Sequence, residues 1–301
     1  MPRAFFIVGP TASGKSEIAA QVAQHLDAEI VGGDAFQVYA GLDLLTAKPD
    51  EATRRRVPHH LIGTVPLMET MDAERFRHSA LERIDDIHSR GSRAIVVGGS
   101  GMYVKALTHG LSPLPRADAE LRERLEQCSE GELFVRLGKL DPASASVIDR
   151  KNKRRLIRAV EICLLSGQPA SAQRSRQKPA EESSGVFLFR DRDELYERIN
   201  ERVEAMFADG VVEEVRAASE IGPTAEQTLG LRQIRDLIER RFSEAECIAV
   251  IQQATRRYAK RQLTWFSRQT SFEPLNLSRI GSPEAIEWIA RKARLSFAPE
   301  R

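Results

Sequence analysis

Cysteine is scarce. Cys128, Cys163 and Cys247 are far apart and odd in number, which excludes a disulfide framework, and no pair has zinc-site spacing. A reducing, cytoplasmic setting is the expected one. An excess of one charge is also missing. The formal net charge is only +2, so no global basic field draws a nucleic acid, and any such site must come from local clustering of Lys and Arg. Long apolar runs are missing too. "AFFIVG" is far too short to cross a bilayer, and no charged-then-apolar leader with a cleavage site precedes it; no membrane partner is expected. There is no internal repeat. What is present is a 301-residue chain, 42% apolar and 29% charged, an ordinary globular balance with length for one or two domains.

Strand and helix patterns alternate along the first third. "RAFFIVG" reads as a buried parallel strand. A helix follows from about Gly14, with Ile18, Val22 and Leu26 on one face. "AEIVGGD" (28–34) reads as a second strand ending at Asp34. Phe76, Ala80, Ile84 and Ile87 recur at helical period before Gly91, a natural stop. "RAIVVGGSG" (93–101) is a third strand. The alternation predicts an α/β fold, a parallel sheet flanked by helices. From about Asp118 to Gln168 the pattern is helical and charge-rich. Residues 171–185 read as a polar linker, and "VFLFR" as one more strand. Two helices follow, marked by Leu195, Ile199, Val203 and Met206, then by Val211, Val212 and Val215. A long final helix is expected over roughly 244–268. The predicted organisation is a core of residues 1–115 and 186–301, with a helical insertion at 116–185.

The most specific motif is "GPTASGKS", residues 9–16, which has the form G-x-x-x-x-G-K-S. Gly9 and Gly14 allow a tight turn that points backbone N–H groups inward, with Pro10, Thr11, Ala12 and Ser13 completing the loop. The helix from Gly14 adds its positive end. Lys15 can neutralise phosphate oxygens, and the Ser16 hydroxyl can hold Mg²⁺. The motif follows a strand and opens a helix, so a core like that of the P-loop NTPases is expected. A polyphosphate is therefore expected, but the loop leaves its identity and fate open. The third strand ends without an acid, which argues against nucleotide hydrolysis. Asp34 is the acid placed to face the loop, because ligands of open parallel sheets lie beyond the carboxyl ends of the strands. A turn cap is the alternative role for Asp34.

These residues, with "DAFQVY" (34–39), "TAKP" (46–49), "PHHLI" (58–62), "GGSGMYVKAL" (98–107), "LSPLP" (111–115), "RRLIRAVEI" (154–162), "LYERINERVEAM" (195–206) and "RRYAKRQLTWF" (256–266), occur in an order that resembles the bacterial tRNA dimethylallyltransferases. The likeness runs from about residue 4 to 268. The resemblance implies transfer of a dimethylallyl group from dimethylallyl diphosphate to N6 of adenosine 37 of tRNA, beside the anticodon. The loop would then cradle a leaving diphosphate, with Mg²⁺ as cofactor. It implies Asp34 as the base for the amine, and Ser100, where the family usually has Thr, as a hydroxyl near the transferring group. It places Asp34, Ala35, Phe36, Gln37 and Ser100 at the target nucleotide. Arg122 and the stretch Arg154, Arg155, Leu156, Ile157 and Arg158 would contact tRNA, and a monomer is expected. There are departures: Gly32, Gly33 and Ala35 around the acid, Gly63 where Asp is usual, Leu231 where Tyr is usual, and "RKNK" at 150–153.

Residues 150–158 carry six basic side chains in nine, read as an RNA-facing cluster giving affinity and salt dependence. Tyr258 and Trp265 share a helix face and are expected to pack in the core. His59 and His60 have no third ligand in reach and are expected to pack or to hydrogen-bond a loop. Arg198 and Arg202 either clamp phosphate or pair with Glu194 and Glu201 on an exposed helix. Two other enzymatic readings remain on residue chemistry, transfer to free AMP or ADP and a small-molecule kinase, as does a non-catalytic RNA-binding protein.

Overall fold

The computed structural model describes residues 4–174, 183–218 and 220–297. The chain divides into two compact units, Met1–Thr108 with Glu181–Arg301, and His109–Ala180.

The larger unit is built on six parallel strands: β1 (Ala4–Val8), β2 (Ala28–Gly32), β3 (His59–His60), β4 (Arg93–Gly98), β5 (Gly185–Phe189) and β6 (Glu273–Asn276), in the order β3-β2-β4-β1-β5-β6. Its helices are α1 (Lys15–Leu26), α2 (Glu51–Arg56), α3 (Ala73–Ser89), α4 (Gly101–Thr108), α10 (Arg192–Ala208), α11 (Val211–Ala217), α12 (Leu231–Ile238), α13 (Glu244–Gln269) and α14 (Ser282–Phe297). The smaller unit holds α5 (Ala119–Glu126), α6 (Glu130–Leu140), α7 (Pro142–Val147), α8 (Lys153–Ser166) and α9 (Ala170–Arg174).

Every residue of β1 is buried, which requires cover on both faces of the sheet. Successive side chains alternate between faces. Phe5 and Ile7 join a core with Ile18 and Val22 of α1 and Ile286 and Ile289 of α14. Phe6 and Val8 join another with Phe76 and Ile84 of α3, Val104 of α4 and Phe266 of α13. A third cluster ties Leu42 and Leu45 to α10–α13 through Val203, Val211, Leu231 and Ile251. The smaller unit has its own core, Leu125, Leu133, Leu137, Leu156, Val160 and Ile162. Such buried aliphatic side chains contribute about 1.5–3 kcal/mol each relative to exposure.

The parallel β sheet and the helical character of 118–168 match expectation. Several elements were not expected. The helix over 244–268 is not the last, because β6 and α14 follow it. α14 packs Ala285, Ile286, Ile289, Ala290 and Ala293 against α1 and the sheet. β6 is an exposed edge strand containing Pro274, a residue that an edge tolerates because no further strand needs its N–H. The second strand stops at Gly32, two residues before Asp34. Of the linker expected at 171–185, residues 175–182 lie outside the described residues.

Candidate active site

All six strands run parallel, so their carboxyl ends share one edge of the sheet, and four of the connections leaving that edge meet. Residues 9–14 leave β1, Gly33 and Asp34 leave β2, Gly99 and Ser100 leave β4, and Arg190 leaves β5. The ends of β2 and β4 approach closely. A Cβ on Gly98 would stand 2.2 Å from the Gly33 carbonyl oxygen, so a larger residue there would separate the two loops.

The loop of residues 9–16 turns back on itself. Gly14 is the α1 N-cap at φ 90°, a left-handed conformation that glycine adopts without steric cost. Ala12 is also left-handed, at φ 62°. The outer side of the loop is gripped by arginines. Arg190 Nε donates to the Ser13 carbonyl at 2.9 Å, Arg198 Nε to the Ala12 carbonyl at 3.0 Å, and an Arg202 guanidinium N–H to Thr11 Oγ1 at 2.8 Å. Among the described residues neither Arg198 nor Arg202 pairs with Glu194 or Glu201; both contact the loop itself, which places them beside any phosphate it holds. It is Arg190 that pairs with Glu194.

Burial pulls the Lys15 ammonium down to a pKa of about 8; Asp34 works against this and Arg202 adds to it. Burial also lowers Arg202, and Asp34 opposes that shift. One carboxylate therefore stands within the field of both cations. Among the described residues, two buried polar atoms at the loop, Ser13 Oγ and Arg202 Nε, have no hydrogen-bond partner. Positive charge and orphaned donors crowded at a helix N-terminus suit an anion with several oxygens. On the sheet side Lys15 and Ser16 border a cavity of about 10 Å³ with Ile30, Ile62 and Val97, room for about one water and not for a five-carbon chain.

Asp34 is half-buried. Its Oδ1 accepts from the N–H groups of Phe36 and Gln37, at 3.0 and 3.4 Å, so the turn-cap role is real. Among the described residues no hydrogen bond reaches Oδ2. Ser100 is buried; its Oγ accepts from the Ala35 N–H at 2.8 Å, and its own N–H donates to the Gly33 carbonyl at 3.3 Å. The Gln37 amide donates to the carbonyls of Thr46 and Ala47, at 3.1 and 2.9 Å, and so spans the loop after β2.

Two side chains of α13 reach this site, and neither was expected there. The Tyr258 hydroxyl is raised above the ordinary tyrosine value, by burial first and by Asp34 second. Core packing is therefore only part of its role. Trp265 does pack, against the core and over Gly101. Gln262 is 5% exposed and joins the Thr11 N–H to the Gly99 carbonyl. One signal for it was available: Thr255, Ala259, Gln262 and Phe266 form the buried stripe of α13, and a long amide on such a stripe needs partners. His59 bonds the Val57 carbonyl in the connection before β3, and His60 bonds Glu29 of the neighbouring strand β2, each at 2.7 Å. Among the described residues no group of three His, Cys, Asp or Glu could hold a metal ion.

In the smaller unit the basic stretch divides by function. Glu161 is fully buried, yet its carboxyl lies below the usual range. Burial opposes ionisation most, and the hydrogen bonds from Arg122, Arg158 and the Asp118 N–H outweigh it. Arg122 approaches both Glu161 oxygens, at 2.8 and 3.0 Å, and Arg158 joins them at 2.6 Å. Leu156 and Ile157 lie in the core. Arg150 stacks on Phe134, and Lys153 donates to the Glu126 carbonyl. Arg150, Lys151, Arg154 and Arg155 are the exposed members of the cluster.

A family model described as IPP transferase matches residues 37–269. The match starts beyond the phosphate loop and Asp34, so those features stand on their geometry. A tRNA dimethylallyltransferase of Akkermansia muciniphila is 43% identical over 281 residues, covering 93% of this chain and 96% of that protein. One from Geobacter metallireducens is 41% identical over 89% of this chain and 90% of its own length. Among solved structures, a tRNA isopentenylpyrophosphate transferase of Staphylococcus epidermidis superposes with a TM-score of 0.70 at 30% identity, covering 97% of this chain and 99% of that one. A eukaryotic dimethylallyltransferase acting on tRNA gives 0.79 at 25% identity, over 96% of this chain and 80% of that one.

Proposed function

The chain belongs to the IPP transferase family, and from that premise we propose that it transfers a dimethylallyl group from dimethylallyl diphosphate to N6 of adenosine 37 of tRNA, releasing diphosphate. The observation that carries this reading is the sharing of one site by an anion cradle and a carboxylate: Lys15 and Arg202 both feel the charge of Asp34.

The diphosphate lies against the loop amides and Lys15. As the C1–O bond breaks, the departing oxygen takes the electron pair, and its growing negative charge is met by dipoles and cations already in place. As the new C1–N bond forms, the N6 amine gives up a proton to the free oxygen of Asp34. The carboxylate is held towards the amine by its Oδ1 bonds to Phe36 and Gln37. The acceptor base must leave its stack, which a single-stranded loop permits at a cost of about a few kcal/mol.

Mg²⁺ commonly takes one or two protein oxygens and completes its shell with phosphates and water. A single hydroxyl, Ser16 in the first turn of α1, fits that habit. A bound Mg²⁺ would supply charge neutralisation to the leaving group. Affinity for tRNA is assigned to exposed cations of the smaller unit, Lys151, Arg154 and Arg155.

The test offers tRNA, AMP and ADP as acceptors with labelled dimethylallyl diphosphate, and ATP in a parallel reaction. Label in tRNA, with the added mass on the adenosine beside the anticodon, is the expected result. Label in free nucleotide, or phosphate transfer from ATP alone, overturns the reading.

A further inference from the structure

Gln262 occupies a place where an apolar residue would be simpler. It lies on the buried stripe of α13 with Thr255, Ala259 and Phe266, and is itself 5% exposed. Burying an amide costs free energy unless its donors and acceptor are paired, and Leu or Met would fill the same space without that demand. The Gln262 amide is paired at both ends, and both partners are backbone groups of the site. Its Oε1 accepts the Thr11 N–H at 2.9 Å, from a residue 251 positions away, and its Nε2 donates to the Gly99 carbonyl at 2.8 Å.

The bonds continue in both directions. Thr11 is held on its hydroxyl by Arg202. Beyond Gly99, Ser100 donates to the Gly33 carbonyl and accepts the Ala35 N–H, and the next two N–H groups cap Asp34. An unbroken run of hydrogen bonds thus joins the diphosphate cradle to the carboxylate turn, and Gln262 is the link crossing from one loop to the other.

We propose that Gln262 is a positioning residue that locks the phosphate loop to the Gly99–Ser100 turn and so holds the leaving-group cradle in register with the Asp34 carboxylate. This rests on the functional reading above. It requires the amide to act on the relative placement of two groups more than on the binding of either substrate.

The test measures kcat, the Kd for inorganic pyrophosphate and the Kd for tRNA in Gln262→Leu, which keeps an apolar side chain of similar bulk in the core and removes both bonds. Misplacement of reacting groups lowers kcat by about 10- to 100-fold, while both Kd values and the thermal midpoint stay close to wild type. A second variant approaches the same link from its other end. A Cβ on Gly99 would stand 2.4 Å from Gln262 Nε2, so Gly99→Ala displaces the amide and is expected to share the phenotype. A double-mutant cycle supplies a readout that a merely structural role would not move. If Gln262 works through Asp34, Gln262→Leu adds less than about 3-fold to the loss already caused by Asp34→Asn. Equal fold-losses in both backgrounds, or wild-type kcat in both Gln262→Leu and Gly99→Ala, overturn the inference. A wild-type protein inert towards tRNA brings down the functional reading with it; an active wild type insensitive to these changes brings down this inference alone.

Discussion

The two oxygens of the Asp34 carboxylate carry different loads. Oδ1 fixes the turn after β2, while Oδ2 accepts no hydrogen bond among the described residues and is the oxygen proposed as base. Asparagine can keep the first task and not the second. Asp34→Asn is therefore expected to fold and bind tRNA nearly as wild type, and to lose about 10²- to 10⁴-fold in turnover. Single-turnover kinetics beside filter binding checks this, and near-wild-type turnover removes Asp34 from the role of base. Lys15 makes a pH prediction. Its folded pKa, about 8, is below the 10.5 of an unperturbed lysine. Between these values the unfolded chain holds more proton than the free folded protein, so this group's contribution to stability rises with pH across that window. A bound diphosphate reverses the preference by favouring the cation. Binding of pyrophosphate above about pH 8 is thus accompanied by proton uptake and weakens as pH rises, and Lys15→Arg removes that component. Calorimetry in two buffers of different ionisation enthalpy reads the uptake directly; no difference between wild type and Lys15→Arg rejects the assignment.

At the scale of the element, α8 shows how a basic run can serve two ends. Arg158, with Arg122 of α5, meets the buried Glu161, and Leu156 and Ile157 lie in the core, while Arg154 and Arg155 are exposed. The helical period explains the core stripe, because side chains three and four apart share a face, as Leu156, Val160 and Cys163 do. Truncating Arg122 leaves a buried carboxylate with one arginine fewer, so Arg122→Ala is expected to destabilise the smaller unit by about 1–3 kcal/mol. Urea denaturation followed on that unit measures the loss. Unchanged stability with weakened tRNA binding would return Arg122 to an RNA-facing role. α13 begins with a reciprocal capping box, Ser243 and Glu246. It also carries Tyr258 and Gln262 to the site, so its start and its function lie at different turns of one helix. Its extent was legible from its apolar period, and Gln262 stood out on its buried stripe, whereas the partners of its site residues were not legible, because they lie in loops far away along the chain.

For the whole molecule, a net charge of +2 means that tRNA binding must be a local affair. Arg154→Ala combined with Arg155→Ala is expected to weaken binding of all tRNA sequences about equally, and to reduce the salt slope by about 1–2. An unchanged slope would move the RNA contact elsewhere. Local spacing was enough to reveal the phosphate loop, the strand before it, the helix after it and the α/β alternation, because each depends on neighbours within a few positions. The same spacing put Asp34 at the right end of β2, since parallel strands present their carboxyl ends together. It missed β6, whose Glu273 and Pro274 do not read as a strand. It also left α14 unassigned, although Ala285, Ile286, Ile289 and Ala293 repeat at helical period. What no local pattern could supply was the pairing across the chain: Arg190, Arg198 and Arg202 on the loop carbonyls and hydroxyl, Gln262 between Thr11 and Gly99, and Glu161 beneath two arginines. Those contacts depend on where separate helices come to rest. That is set by the sum of packing over the sheet faces, and residue order along the chain does not encode it at any short range.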